Sequence, residues 1–186
     1  RDAIGTAVKV LPLVRVLDYG AGSDPRNHGL LFADLHPKQR MLAYDPNVDP
    51  QAHEAIPLKY RIPWTAEKPK GRFDLVVCHF SLHHIEQQQV DVIREIDQND
   101  PKILVIAEFD FSGATKEDFA ETFASQMASE ELETLFGGDL DKCFRFHVRY
   151  SREDYKKAME ENGYRVLREE TGQGAARYMF YIIGKR

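Results

Sequence analysis

The fold is decided by one short stretch, VRVLDYGAGSD at residues 14–24. Apolar, β-branched residues lead up to Asp18, which is typical of a short strand buried on both faces. Gly20 and Gly22 permit backbone angles that a side chain disfavours, so a ligand can lie directly against the main chain. We therefore predict a strand, a glycine turn that forms a binding site, and a helix over residues 27–38.

A second acidic residue follows at the end of the next predicted strand. Residues 41–44 read MLAY, and Asp45 comes directly after them. An acid at this position can accept hydrogen bonds from both ribose hydroxyls of a nucleoside cofactor. The dinucleotide fingerprint Gly-x-Gly-x-x-Gly is not completed, because Pro25 stands three residues after Gly22. These residues favour a nucleoside cofactor that is not a dinucleotide.

Further strands are predicted by apolar runs at residues 73–79 and 103–108, with a brief strand at 58–61. Strands that alternate with helical segments imply a parallel sheet with helices on both faces. Because ligands bind beyond the carboxyl ends of such strands, we expect the polar residues at those ends to meet at one edge. These residues are Asp18, Asp45, His79 and Glu108.

Residues 109–150 interrupt the alternation, and we expect this insertion to form a lid over a second substrate. Residues 114–135 have a helical pattern. Residues 144–150 alternate between apolar and basic side chains, which predicts an extended, two-faced stretch. After the insertion, Ser151 begins a capping-box pattern for a helix, and two late strands predict an antiparallel hairpin at the sheet edge.

Length and composition are those of one globular domain spanning residues 1–186, with 42% hydrophobic residues. The net charge of −5 argues against nonspecific coating of nucleic acid. Cys78 and Cys143 lack metal-ligand spacing and fit a reducing setting, so we expect a cytoplasmic protein without a metal. No apolar stretch has the length needed to cross a bilayer, so we expect no membrane partner.

The chain resembles class I S-adenosylmethionine-dependent methyltransferases in residues 16–22, 43–47 and 73–85. The third segment is the most specific, because FDLVV followed by LHHI recurs widely in that family. The resemblance implies an α/β, Rossmann-like fold with a seven-stranded, mostly parallel sheet, helices on both faces and an antiparallel last strand. It also implies S-adenosylmethionine as methyl donor and S-adenosylhomocysteine as product. The chain departs from the family in lacking the usual third glycine, because Asp24 stands there.

The resemblance also implies roles for residues at the strand ends. Asp18 would lie near the methionine end of the cofactor, the glycine turn beneath it, and Asp45 on the ribose. His79 and Phe80 would lie beside the adenine or the sulfonium. The expected cofactor-binding residues are Asp18, Gly20, Ala21, Gly22, Asp45, Pro46, Asn47, His79 and Phe80.

His83 and His84 are the candidate catalysts, because histidine exchanges protons near neutral pH. In the family this pair often serves the loop structurally, so both roles stay open. The transfer is an in-line displacement that depends mainly on alignment, and it needs a base only when the acceptor must lose a proton. The expected acceptor-side residues are His83, Glu108, Arg145, Arg149 and Tyr150.

Two classes of acceptor remain open. The loop CHFSLHH at residues 78–84 resembles that of RNA cap guanine methyltransferases, including viral ones, and AYDPN at 43–47 is similar to large-virus cap enzymes. The same loop resembles that of small-molecule methyltransferases, which often reads Leu-His-His. We take RNA as the working acceptor, and an inert domain that binds a cofactor or partner is a third alternative. The RNA phosphates would contact Arg145, His147, Arg149 and Arg152.

Overall fold

The computed structural model describes residues 15–22, 40–47, 49, 51, 54, 62–85, 88–124 and 129–186. These residues form one seven-stranded sheet. The strands are β1 (Arg15–Tyr19), β2 (Arg40–Tyr44), β3 (Trp64–Thr65), β4 (Leu75–His79), β5 (Ile103–Phe109), β6 (Arg165–Thr171) and β7 (Met179–Lys185). The helix predicted over residues 27–38 and the strand predicted at 58–61 lie outside the described residues.

The strand order is β3-β2-β1-β4-β5-β7-β6. The first five strands pair in parallel, whereas β7 runs antiparallel to both β5 and β6. The Rossmann-like fold and the closing hairpin are therefore confirmed. Because β1 to β5 run in the same direction, their carboxyl ends lie along a single edge of the sheet.

The side chains of the central strands alternate between two buried faces. In β4, Leu75 and Val77 pack on one face, and Val76 and Cys78 pack on the other. All four side chains are fully buried. A strand covered on both faces is apolar at every position, which is why β1, β4 and β5 are readable as apolar runs.

The described helices surround this sheet and include the helix predicted from the Ser151 capping box. Ser151 N donates to Asp154 Oδ2 at 2.8 Å, and Asp154 N donates to Ser151 Oγ at 3.2 Å. Among the described residues, no helix is both long and apolar enough to cross a membrane. The helices are α1 (Gln89–Asp97), α2 (Lys116–Phe119), α3 (Ser129–Phe136), α4 (Leu140–His147) and α5 (Arg152–Glu161), with a π-helical segment at Ala120–Ala124.

The insertion agrees with its prediction in one part and differs from it in another. As the helical pattern over residues 114–135 predicts, the described residues there form α2, the π-helical segment and α3. The extended stretch predicted over residues 144–150 is wrong, because α4 continues to His147. The helix prevails because Asp139 caps it, accepting a hydrogen bond from Lys142 N at 2.9 Å, and because Cys143 and His147 fall on one buried stripe.

Candidate active site

The glycine turn after β1 packs directly on the loop after β4. Gly20 has a φ of +76°, and Gly20 N and Ala21 N donate to Tyr44 O at 2.8 and 2.9 Å. A Cβ on Gly20 would lie 2.5 Å from Ser81 Cβ, which is closer than such atoms can approach. Ser81 Oγ also donates to Tyr19 O at 3.1 Å. The sequence analysis missed Ser81, because only tertiary structure places this small side chain against the glycine.

Asp45 is held in a fixed orientation at the tip of β2. Its Oδ2 accepts from Gly22 N at 2.8 Å, and its Oδ1 accepts from Asn47 N at 2.8 Å. Pro46 lies in the exposed turn between Asp45 and Asn47. Each carboxylate oxygen has a further lone pair, so Asp45 can accept two more hydrogen bonds from vicinal hydroxyls.

Asp18 is buried, and neither of its carboxylate oxygens has a hydrogen-bond partner among the described residues. Burial, and secondarily the negative charge of Asp45, raise the pKa of Asp18 from 3.8 to about 7. A buried carboxylate without hydrogen bonds is costly. The position of Asp18 therefore favours a ligand that brings a cationic group to it.

The loop after β4 begins with a strained residue. Phe80 has a φ of +50°, a left-handed conformation that a bulky side chain rarely adopts. The strain is held by a hydrogen bond from Phe80 N to Ala107 O at 2.8 Å and by ring contacts with His79 and Phe109, at 4.5 and 4.6 Å between centroids. Such strain is concentrated at functional sites, where it presets the geometry of a loop.

A buried imidazole–carboxylate pair lies next along this loop. His83 Nδ1 is 2.6 Å from Glu108 Oε2, and the Glu108 side chain is fully buried at the end of β5. Glu108 Oε1 accepts from Leu82 N at 2.6 Å. Burial alone would raise the pKa of Glu108, but the charge of His83 and the hydrogen bonds from His83, Leu82 and Phe109 lower it below its usual value. Glu108 is therefore ionised at neutral pH, and His83 Nδ1 donates to it.

A second imidazole approaches His83 from the insertion. The ring centroid of His147 is 5.2 Å from that of His83, and His147 Nδ1 donates to Cys143 O at 2.8 Å. Burial lowers the pKa of His147 from 6.5 to about 4, so the ring is neutral. His84 is exposed, with its centroid 4.0 Å from that of His83. In the described part of the chain, no group of three or more His, Cys, Asp or Glu side chains could hold a metal ion.

The basic residues expected to contact RNA phosphates, at the end of the insertion and the start of α5, do not form the single face that an extended strand would create. Arg145 is exposed on α4, His147 is buried, and Arg152 forms ion pairs with Glu153 and Glu169. Tyr150 is half-buried and packs against the core beside Tyr155. Arg149 lies by itself on the β4 side of the insertion, where it contacts Phe146 and the loop after β4.

The family of the chain follows from its sequence. A family model described as a methyltransferase domain matches residues 11–169. The chain belongs to this family and is a class I S-adenosylmethionine-dependent methyltransferase. The glycine turn, the fixed carboxylate of Asp45 and the unpaired carboxylate of Asp18 fit a cofactor that carries a ribose and an ammonium group. No curated protein matches the chain.

The fold is similar to those of several solved methyltransferases. Magnesium protoporphyrin IX methyltransferase (ChlM) from Synechocystis PCC 6803, with bound S-adenosylhomocysteine, has a TM-score of 0.62 at 15% identity, covering 100% of this chain and 82% of that one. The N-methyltransferase NodS from Bradyrhizobium japonicum WM9 has a TM-score of 0.58 at 15% identity, and the match covers 100% of this chain and 95% of NodS. The CurJ carbon methyltransferase has a TM-score of 0.64 at 17% identity, and the match covers 98% of this chain and 51% of the CurJ chain.

Proposed function

We propose that this protein methylates a small molecule at an O–H or N–H group whose proton is accepted by His83. The observation that carries the proposal is the buried pair of His83 and Glu108, 2.6 Å apart, at the carboxyl edge of the sheet. A carboxylate bonded to one imidazole nitrogen orients the ring and stabilises its protonated form, which is how proteins prepare a histidine to act as a base.

The cofactor occupies the edge formed by β1, β2 and the loop after β4. S-adenosylmethionine would supply a methyl group on a sulfonium centre. The lone pair of the acceptor would attack that methyl carbon in line, and the carbon–sulfur bond would break with S-adenosylhomocysteine as the leaving group. Asp45 holds the ribose hydroxyls, and Asp18 pairs with the ammonium group of the methionine portion. The main chain of Gly20, Ala21 and Gly22 lies beneath the cofactor. His79 and Phe80 line the cofactor side of the loop and exclude water from it.

His83 acts on the acceptor rather than on the cofactor. Because its Nδ1 donates to Glu108, its Nε2 carries the lone pair that can accept a proton. As the acceptor oxygen or nitrogen forms its bond to the methyl carbon, its proton passes to His83 Nε2. Glu108 stabilises the resulting imidazolium, which then returns the proton to solvent. Base catalysis of this kind contributes about 10²- to 10⁴-fold in rate.

A small acceptor agrees with the structure better than capped RNA does. The RNA phosphates were expected to contact basic side chains along one strand face, and these side chains do not share a face, because residues 140–147 form the helix α4. A guanine ring nitrogen also has a lone pair and would make no use of a base. The structurally similar ChlM is named for a small-molecule substrate, magnesium protoporphyrin IX. RNA cap methylation is therefore the second candidate, favoured by the loop sequence at residues 78–84.

The test compares methyl transfer by the native protein with that by Glu108→Gln and His83→Asn. Tritiated methyl transfer from S-adenosylmethionine is measured onto a pooled metabolite extract and onto capped RNA. We expect transfer to metabolites to fall about 10²-fold or more in both variants, while affinity for S-adenosylhomocysteine is retained.

The matched control is Asp97→Asn, which removes a carboxylate that accepts a hydrogen bond from Tyr164 at 3.0 Å, away from the loop. Full transfer by Glu108→Gln and His83→Asn would contradict the role of the pair. A loss of transfer that only parallels a loss of cofactor affinity and melting temperature would assign the pair a structural role. Transfer to capped RNA that is independent of His83 would favour the cap guanine acceptor instead.

A further inference from the structure

Arg149 has a guanidinium that is held rigidly at the junction between the insertion and the loop after β4. Its Nε donates to Phe146 O at 2.8 Å, and its Nη2 donates to Ile85 O at 3.4 Å. The guanidinium carbon lies 3.7 Å from the centroid of the Phe146 ring and 5.4 Å from that of Tyr150. These contacts determine the plane of the group, so little side-chain entropy remains to be lost when it binds a ligand.

The charge of Arg149 is not neutralised by the described part of the chain. No described carboxylate lies within ion-pair distance of it, whereas Arg94, Arg152 and Arg177 each pair with at least one. A guanidinium has five N–H donors, and the contacts with Phe146 and Ile85 use only Nε and one N–H of Nη2. The Nη1 group and the remaining Nη2 proton form an edge that matches the two oxygens of a carboxylate or phosphate.

The position of Arg149 connects it with the proposed proton acceptor. Ile85, whose carbonyl it contacts, comes two residues after His83 in the same short loop. His147 comes two residues before Arg149, and its ring lies 5.2 Å from that of His83. The two aromatic rings against the guanidinium, those of Phe146 and Tyr150, are only half-buried and suit the apolar body of a small organic molecule.

We infer that Arg149 binds an anionic group of the acceptor, so the substrate is a small organic anion bearing a carboxylate or a phosphate. The inference rests on the proposed function, because it places the anion beside the His83–Glu108 pair. Arg149 contacts the acceptor alone, and the methyl donor binds elsewhere at the β1 and β2 ends. A neutral acceptor would leave the guanidinium without a counter-charge.

The test measures binding of benzoate, inorganic phosphate and the neutral isostere benzamide to the protein saturated with S-adenosylhomocysteine. We expect at least one of the two anions to bind about tenfold more tightly than benzamide, as one charge-assisted hydrogen-bonded pair implies. Arg149→Gln retains hydrogen-bond donors for the carbonyl of Phe146 but removes the charge, so it should abolish this preference. Arg149→Lys keeps the charge without the planar edge and should retain part of it.

The matched control is Arg165→Gln, which removes an exposed arginine at the start of β6, opposite Lys185 and far from the loop. It should leave the preference for anions unchanged. Equal binding of benzamide and both anions, or a preference that persists in Arg149→Gln, would overturn the inference. So would Arg149-dependent binding of a capped RNA oligonucleotide without binding of either small anion. His83→Asn should bind the anions normally, so failure of the proton-acceptor role is distinguished from failure of the anion site.

Discussion

Replacing Asp18 by asparagine should stabilise the cofactor-free protein at neutral pH. Burial and the charge of Asp45 raise the pKa of Asp18 from 3.8 to about 7, so the folded state binds the proton more tightly than the unfolded state. The stability contributed by protonated Asp18 is therefore complete below pH 3.8 and is lost as the pH rises towards 7. At about 1.4 kcal/mol per pKa unit, the loss is at most about 4 kcal/mol.

Asparagine is neutral at every pH and nearly the same shape, so Asp18→Asn should lack this loss. Urea denaturation without cofactor, repeated between about pH 4 and pH 8, measures the difference in the free energy of unfolding. We expect the two proteins to differ little at the acid end, and the variant to be more stable by about 2–4 kcal/mol at the alkaline end. Asp74→Asn is the control, and its effect on stability should have the opposite sign. Because the hydrogen bond from Lys102 lowers the pKa of Asp74, ionised Asp74 stabilises the folded protein, and its replacement should reduce the free energy of unfolding at the alkaline end.

The same substitution should weaken cofactor binding. Calorimetric affinity for S-adenosylhomocysteine should rise with pH through about 7 in the native protein, because the proposed pairing with the ammonium group requires Asp18 to be ionised. In Asp18→Asn the affinity should be lower and nearly independent of pH. An Asp18→Asn protein that is no more stable at alkaline pH would refute the account of the buried charge. Unchanged affinity would remove Asp18 from the cofactor site.

Three further predictions concern backbone, capping and titration. Gly20→Ala should destabilise the protein by about 2 kcal/mol or more in thermal or urea unfolding, because its Cβ meets Ser81 and its φ is positive; a change under about 0.5 kcal/mol would contradict the packing. Ser151→Ala should cost about 1 kcal/mol through loss of the cap that bonds Asp154 N, and an unchanged urea midpoint would show that the cap contributes nothing. The imidazole NMR signals of His147 should titrate near pH 4, because burial lowers its pKa. The stability that neutral His147 contributes should be complete above pH 6.5 and should be lost as the pH falls towards 4. An NMR midpoint near 6.5 would be inconsistent with burial.

Most of the strands, and the polar residues at their carboxyl edge, were predictable because their information is local. A strand buried on both faces is apolar at each position, so β1, β4 and β5 are visible as runs of a few residues. In a parallel sheet, the residue after such a run lies at the carboxyl edge. The position of Asp18, Asp45, His79 and Glu108 at this edge therefore followed from sequence alone.

The insertion was less predictable because two periodicities coincide in it. Over residues 144–150, aromatic and basic side chains alternate, which is the pattern of an extended strand. Cys143 and His147 are four residues apart, which is the spacing of one face of a helix. The local pattern does not decide between them. The aromatic cluster that includes Phe111, Phe119 and Phe136 buries one stripe of α4, and this burial selects the helix.

The sequence by itself indicated the strands β1, β2, β4 and β5 and the acids near their carboxyl ends, because each depends on residues close together in the chain. It did not indicate β3, which lies at Trp64–Thr65 where a loop was expected. Only the tertiary structure decided that Glu108 bonds His83, that His147 approaches the same imidazole, and that Arg149 is held beside the loop without a carboxylate partner among the described residues. These contacts join residues 25 to 64 positions apart. Their geometry is set by the packing of β5 and α4 against one loop, which no local pattern encodes.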